Sequence, residues 1–252
     1  MRSKPLAVLG FCLFLGSACA SRAIPPSPVA TPGTSFFDFH MKQGLSFLAQ
    51  GDYGRAADEL RAAVENSPAS SKAHNYLGLC YFRQRAYDPA REQFEKAVAL
   101  DSSFATAYNN LAGVYSVKSQ FAKAEELYKK ALSLSPDMIS ANYSLGILLL
   151  NLGRTEEGAP YLSRGIALDP DYLDKYKELV TTFSSLSFDM KESYFAYAKA
   201  YASAGNIEKT VDYLEKARKA GFGEWQRILR EKEFERVRDD PRIQNFLKDQ
   251  IS

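Results

Sequence analysis

Few residues in this chain have the type and spacing to do chemistry. Two histidines, His40 and His74, stand 34 residues apart. Such a pair would serve as metal ligands or as an acid–base dyad. Here the interval equals a period that recurs along the chain, so each histidine reads as the same slot of a repeated unit. There are three cysteines. Cys12 lies in an apolar leader, and Cys19 closes a run of small residues, Gly16, Ser17 and Ala18. Cys80, between Leu79 and Tyr81, has no basic neighbour in sequence and is expected to be a small buried hydrophobe. No GxSxG, P-loop, HExxH or CxxC pattern occurs. No catalytic, cofactor-binding or metal-ligating residue is therefore assigned. The expectation is a protein that is not an enzyme, with no cofactor and no small-molecule substrate.

Cys19 is the one residue with a chemical role in prospect. Arg2 and Lys4 precede an apolar run from Leu6 to Leu15, the layout of a secretory signal peptide. Residues 1–20 are read as that signal, with two processing sites open. Cleavage after Ala20 fits the small-x-small rule. Cleavage before Cys19, with lipid on its sulfur, fits a bacterial lipobox, although Leu15 stands one place earlier than that pattern wants and Gly16 fills its slot. Residues 21–35 form a linker with Pro25, Pro26, Pro28 and Pro32. Extended at about 3.1 Å per residue, it would hold the fold roughly 40–50 Å from an anchor. The expectation is an exported periplasmic protein, tied to the outer membrane through lipid on Cys19.

Bulk composition adds limits. Hydrophobic residues make up 46% and charged residues 25%, ordinary for a soluble folded chain. Lys and Arg number 32 and Asp and Glu 30, and Arg2 and Lys4 leave with the signal, so the mature chain is neutral. No nucleic-acid partner is expected. Past the N-terminus no apolar stretch reaches the roughly 18 residues of a membrane span, so membrane contact is expected only through the anchor.

The elements that must position any site repeat. Gly44, Gly78, Ala112 and Gly146 are spaced by 34 residues, as are Ala56, Ala90, Ala124 and Gly158, and Ala63, Ala97, Ala131 and Gly165. Pro68, Pro136 and Pro170 lie on the same grid, with Ser102 in the remaining slot. With Phe47, Tyr81 and Tyr115, and with Phe94 and Tyr128, this resembles the tetratricopeptide repeat (TPR). The resemblance implies an all-α fold, a right-handed solenoid of stacked antiparallel helix pairs with a C-terminal capping segment. Region 36–171 is read as four units, at about 37–70, 71–104, 105–138 and 139–172. Small residues let the two helices approach and aromatics fill the space beside them. Gly51 and Gly153 are placed in turns inside units. Asp88-Pro89 is read as a capping acid before a first-turn proline.

Past Pro170 the grid loosens. Tyr176, Leu179 and Phe183 suit a first helix, Met190 to Ala204 a second and Ile207 to Ala220 a third, with a turn at Gly205-Asn206. Residues 194–217 read as a repeat shifted by 18 residues. Region 172–222 is thus a degenerate helical segment, with either an unpaired helix inserted or the pairing rearranged. Residues 223–252, with Trp225, Phe234, Val237, Ile243, Phe246 and Leu247 as apolar points, read as the closing cap.

In this family the concave face is built by first helices, which implies a peptide groove. Residues at i, i+3, i+7 and i+10 share a helical face. They are Lys72, Asn75, Leu79 and Phe82 in the second unit, Thr106, Asn109, Gly113 and Ser116 in the third, and Ser140, Tyr143, Ile147 and Leu150 in the fourth. Asn75 and Asn109 are expected side by side, outside the core, holding a peptide backbone through their amides. Leu79, Phe82, Tyr143 and Ile147 would supply apolar pockets. The functional expectation is a scaffold or adaptor of the bacterial envelope that binds protein partners. A pilotin-like assembly factor for a secretin or type IV pilus is one alternative. An adaptor for envelope proteases or cell-wall hydrolases is another.

Overall fold

The computed structural model describes residues 35–175 and 190–251. Cys19, the signal peptide, the linker as far as residue 34, and Tyr176, Leu179 and Phe183 lie outside the described residues. Among the described residues there are thirteen α-helices, one 3-10 turn and no strand.

Four antiparallel pairs come first. They are α1 (Phe36–Ala49) with α2 (Tyr53–Asn66), α3 (Ser71–Arg83) with α4 (Tyr87–Leu100), α5 (Ala105–Val117) with α6 (Phe121–Leu134), and α7 (Ile139–Asn151) with α8 (Thr155–Leu168). The second helix of each pair packs on the first helix of the next, and the first helices touch one another along one side. The side chains of Ser35, Asp52 and Ser70 cap α1, α2 and α3 by accepting the amides of Asp38, Arg55 and Ala73. α4 corrects the expectation for Asp88. Its N-cap is Ala86, without a side-chain bond, and Asp88 lies inside the first turn. There the carboxylate favours the positive end of the helix and pairs with Lys118 of the next unit.

Small residues explain the close pairing. A Cβ added to Gly146 would stand 2.8 Å from the Leu162 backbone nitrogen, and one added to Gly78 would stand 2.8 Å from the Phe94 ring. Ala56, Ala63, Ala90, Ala97, Ala124 and Ala131 are fully buried. Phe94 and Tyr128 are buried beside them, whereas Phe47, Tyr81 and Tyr115 are half-buried.

The chain resumes its pattern after the short α9 (Tyr172–Lys175). α10 (Met190–Ser203) and α11 (Ile207–Lys219) form a fifth antiparallel pair around Gly205, whose φ is 75°. α10 docks on α8 and also touches α7, so it takes the place of the next first helix. The rest is α12 (Arg227–Arg230), a 3-10 turn (Lys232–Phe234) and α13 (Pro241–Ile251). Trp225, Phe234, Val237, Ile243, Phe246 and Leu247 all bury against Phe195, Ala198, Ala202, Leu214 and Ala217 of the fifth pair. The Phe195 and Phe222 rings stack with centroids 4.2 Å apart. Charge is sealed in at the same seam. Lys199 Nζ lies 2.8 Å from Glu231, and Arg227 donates to Glu231 at 2.7 Å and to Glu192 at 3.1 Å.

Candidate ligand groove

The histidines tie helices together. His40 Nδ1 lies 2.8 Å from Glu59 Oε2. His74 Nδ1 lies 2.8 Å from the Gln93 side-chain amide, and its Nε2 meets the Pro68 carbonyl at 3.0 Å. Glu59 and Gln93 are themselves one period apart, so each histidine links the two helices of its own unit. Asn142, two periods beyond His74, donates to the Pro136 carbonyl at 2.9 Å and repeats that device. Among the described residues no group of three or more His, Cys, Asp and Glu side chains could hold a metal ion. Cys80 is buried, and burial pushes its thiol up to about 12. It is a neutral thiol at physiological pH and a poor nucleophile.

One cavity opens on the first-helix side, between α3, α5 and α7, with a volume of about 180 Å3. Leu79, Phe82, Thr106, Asn109 and Gly113 line it, as the helical-face argument placed them, and Ser140 joins from α7. The other expected groove residues go elsewhere. Lys72 is exposed at the start of α3 and does not line the cavity. Asn75 is buried, only 2% exposed. Its partner is Asn110, whose Nδ2 donates to Asn75 Oδ1 at 2.9 Å, and not Asn109. The pairing is one residue over because successive first helices meet flank to flank rather than slot to slot. Tyr143, Ile147 and Leu150 are core residues. α10 covers them with Ala196, Tyr197, Ala200 and Tyr201, because the fifth pair stacks on α7 and α8. Tyr143 also stacks on Tyr172, with ring centroids 4.9 Å apart, and donates its hydroxyl to the Asp169 carbonyl at 2.8 Å.

Second helices contribute to the cavity as well. Phe94 of α4 and Tyr128 of α6, expected only as packing aromatics, reach it from behind, and Val117, Ser144 and Tyr172 complete the wall. Tyr128 is fully enclosed, so burial raises its hydroxyl above the ordinary range, against the opposing influence of the Ser116 and Ser144 hydroxyls. That hydroxyl stays protonated and can both donate and accept. Asn109 donates weakly to Asn110 Oδ1 at 3.5 Å, while its own Oδ1 is buried without a partner. Arg83 is the one charged side chain among the lining residues. The arrangement is a largely apolar recess with neutral hydrogen-bonding groups and one arginine, with room to hold a ligand group. The repeat grid pairs Asn75 with Asn109 and passes over Asn110, which lies 35 residues from Asn75, one period plus one.

Profiles of the tetratricopeptide repeat match residues 41–103, 84–139 and 118–182. No curated protein matches the chain. Among solved structures, MamA is similar at 19% identity, covering 78% of this chain and 96% of that one with a TM-score of 0.51. YrrB, described as a TPR protein with an unusual peptide-binding site, is 19% identical over 73% of this chain and 85% of that one, with a TM-score of 0.48. The second TPR domain of human RPAP3, in complex with an HSP70 peptide, is 19% identical over 43% of this chain and 91% of its own, with a TM-score of 0.42. At such identities the likeness is one of fold.

Proposed function

Since the chain belongs to the tetratricopeptide-repeat family, with matches running from residue 41 to residue 182, we propose that it is a non-enzymatic interaction scaffold that binds an extended segment of a partner protein along the first-helix side of units two to four. The cavity bounded by Leu79, Phe82, Asn109 and Gly113 carries this reading. It is the recess where apolar walls and unspent hydrogen-bonding capacity coincide, the combination that ligand sites use. The fold alone would not choose a function, because function resides in the site. The scaffold works in the bacterial envelope, exported by an N-terminal signal cut before Cys19 and held by lipid on Cys19 while the proline-rich linker spaces it from the membrane.

Both halves have tests. Thr106 and Ser140 line the groove and neither is fully buried, so Thr106→Arg with Ser140→Arg narrows it without touching the core. Peptides selected from a random display library on the wild-type chain should lose at least about tenfold in affinity for the double variant, at an unchanged melting midpoint. Equal affinity would place the ligand elsewhere. For the anchor, wild-type cells should incorporate labelled palmitate into the protein and Cys19→Ala cells should not. A mature N-terminus at Ser21 overturns the lipid anchor.

A further inference from the structure

The recess beside Asn109 suits one kind of guest. We propose that it receives a single phenolic side chain, that of a tyrosine in the bound segment. This rests on the groove reading above and narrows it to a ligand chemistry.

Size comes first. The recess holds about 180 Å3. An apolar cavity of about 150 Å3 is known to accept benzene, so there is room for one six-membered ring with a substituent and not for two. Gly113 makes the room. The helical glycines at 44, 78 and 146 are held by neighbours that a Cβ would meet at or under 2.8 Å. At Gly113 the same Cβ would meet only the Tyr128 hydroxyl, at 3.9 Å. Packing therefore does not require a glycine there, and its missing side chain is what leaves the space. Leu79, Phe82, Phe94 and Val117 offer a ring-sized apolar wall.

Polarity then selects among rings. Asn110 Nδ2 donates to Asn75, which leaves Asn110 Oδ1 to accept from Asn109 Nδ2. The order of these amides makes the atom left over an acceptor, Asn109 Oδ1, which is buried and unpaired. A purely hydrocarbon ring would leave it so, at a cost in free energy. An amine would bring a charge to a recess with no carboxylate among its lining residues. Indole can donate but cannot accept. A phenol can donate to Asn109 Oδ1 and accept from the hydroxyl of Ser144 or Tyr128, both of which line the recess.

The probes are 4-methylphenol, which is the tyrosine side chain, and toluene, which is the phenylalanine one. Each is titrated into the full chain by calorimetry or NMR. The expected result is a roughly 5- to 10-fold preference for 4-methylphenol. Asn109→Leu should abolish or reverse the preference while still binding a ring. Gly113→Val should lose both probes. Should Gly113→Val melt early, the smaller Gly113→Ala serves as a graded replacement. Equal affinities, no binding of either probe, a preference that survives Asn109→Leu, or binding that survives Gly113→Val overturns the proposal. The display experiment separates the two readings. Selected peptides without tyrosine that still lose affinity for the Thr106→Arg, Ser140→Arg variant sink the tyrosine pocket and leave the groove standing. Peptides indifferent to that variant sink the groove.

Discussion

Inside every helix pair the chain reverses through one residue in the left-handed region. Gly51, Gly153 and Gly205 occupy it at φ of 75°, 73° and 75°, and Arg85 and Ser119 occupy it at 62° and 58°. An L side chain there costs about 1–2 kcal/mol, and glycine returns part of that through its larger unfolded-state entropy. Arg85→Gly and Ser119→Gly should therefore each stabilise the fold by about 0.5–1 kcal/mol. A urea midpoint that stays put or falls would contradict this. Close approach makes the opposite case at Gly146. Its added Cβ would press on the backbone of α8, which cannot rotate away as a side chain can. Gly146→Ala should cost about 1–3 kcal/mol, read as a drop in the melting midpoint.

Among elements, the seam between α10 and the C-terminal cap is held by charge as well as rings. Burial alone would push the Glu231 carboxyl up, but the ion pair with Lys199 and the hydrogen bond and charge of Arg227 together outweigh it and hold the group below its ordinary value of 4.5. Glu192 shares Arg227, and Glu233 stands 4.0 Å from Lys199. A carboxyl depressed in the folded state adds stability above its unfolded value and withdraws it as pH falls through the folded one. The Glu231 contribution is thus intact near neutrality and lost below about pH 4.5. Trp225, the one tryptophan, sits in the same cluster and reports on it by fluorescence. Glu231→Gln should lower cap stability at pH 7 by about 1–3 kcal/mol and flatten the acid limb of the tryptophan signal. An acid limb identical to wild type would assign the transition to another group.

At the scale of the whole molecule, each pair contacts its neighbours and little beyond them, so stability adds up from unit to unit along the array. The cap ends that series. Removing residues 221–252 would uncover Phe195, Ala198, Leu214 and Ala217. Hydrogen exchange on such a truncated chain should show α10 and α11 losing protection while α3 to α5 keep theirs. Uniform loss along the chain would mean a single cooperative unit. Neighbouring units are also tied on the outside, for instance by Arg154, which donates to Glu125 of the preceding pair at 2.6 and 3.1 Å. Such partly exposed bonds contribute less than the buried alanine and aromatic seams, because water competes for them.

Four helix pairs were determined by the sequence alone. The 34-residue spacing of Gly44, Gly78, Ala112 and Gly146 and of the buried alanines encodes a local contact, helix against helix, and local contacts leave a period that composition cannot hide. The cap residues Trp225 to Leu247 were legible for a similar reason, since apolar points in a charged segment must be covered. Part of the recess lining was legible as well, because Leu79 and Phe82 share one helical face and Thr106, Asn109 and Gly113 share another. Only the tertiary structure decided the rest. Tyr143, Ile147 and Leu150 belong to the same pattern, yet α10 buries them, since the fifth pair docks on α7 and α8 despite its shifted register. Asn75 is spent on Asn110 because adjacent first helices meet one residue off the repeat grid. Phe94 and Tyr128 reach the recess from second helices, through gaps that only three-dimensional stacking creates. A periodic sequence specifies what each unit is, while the relation between units sets which of its faces is left for a ligand.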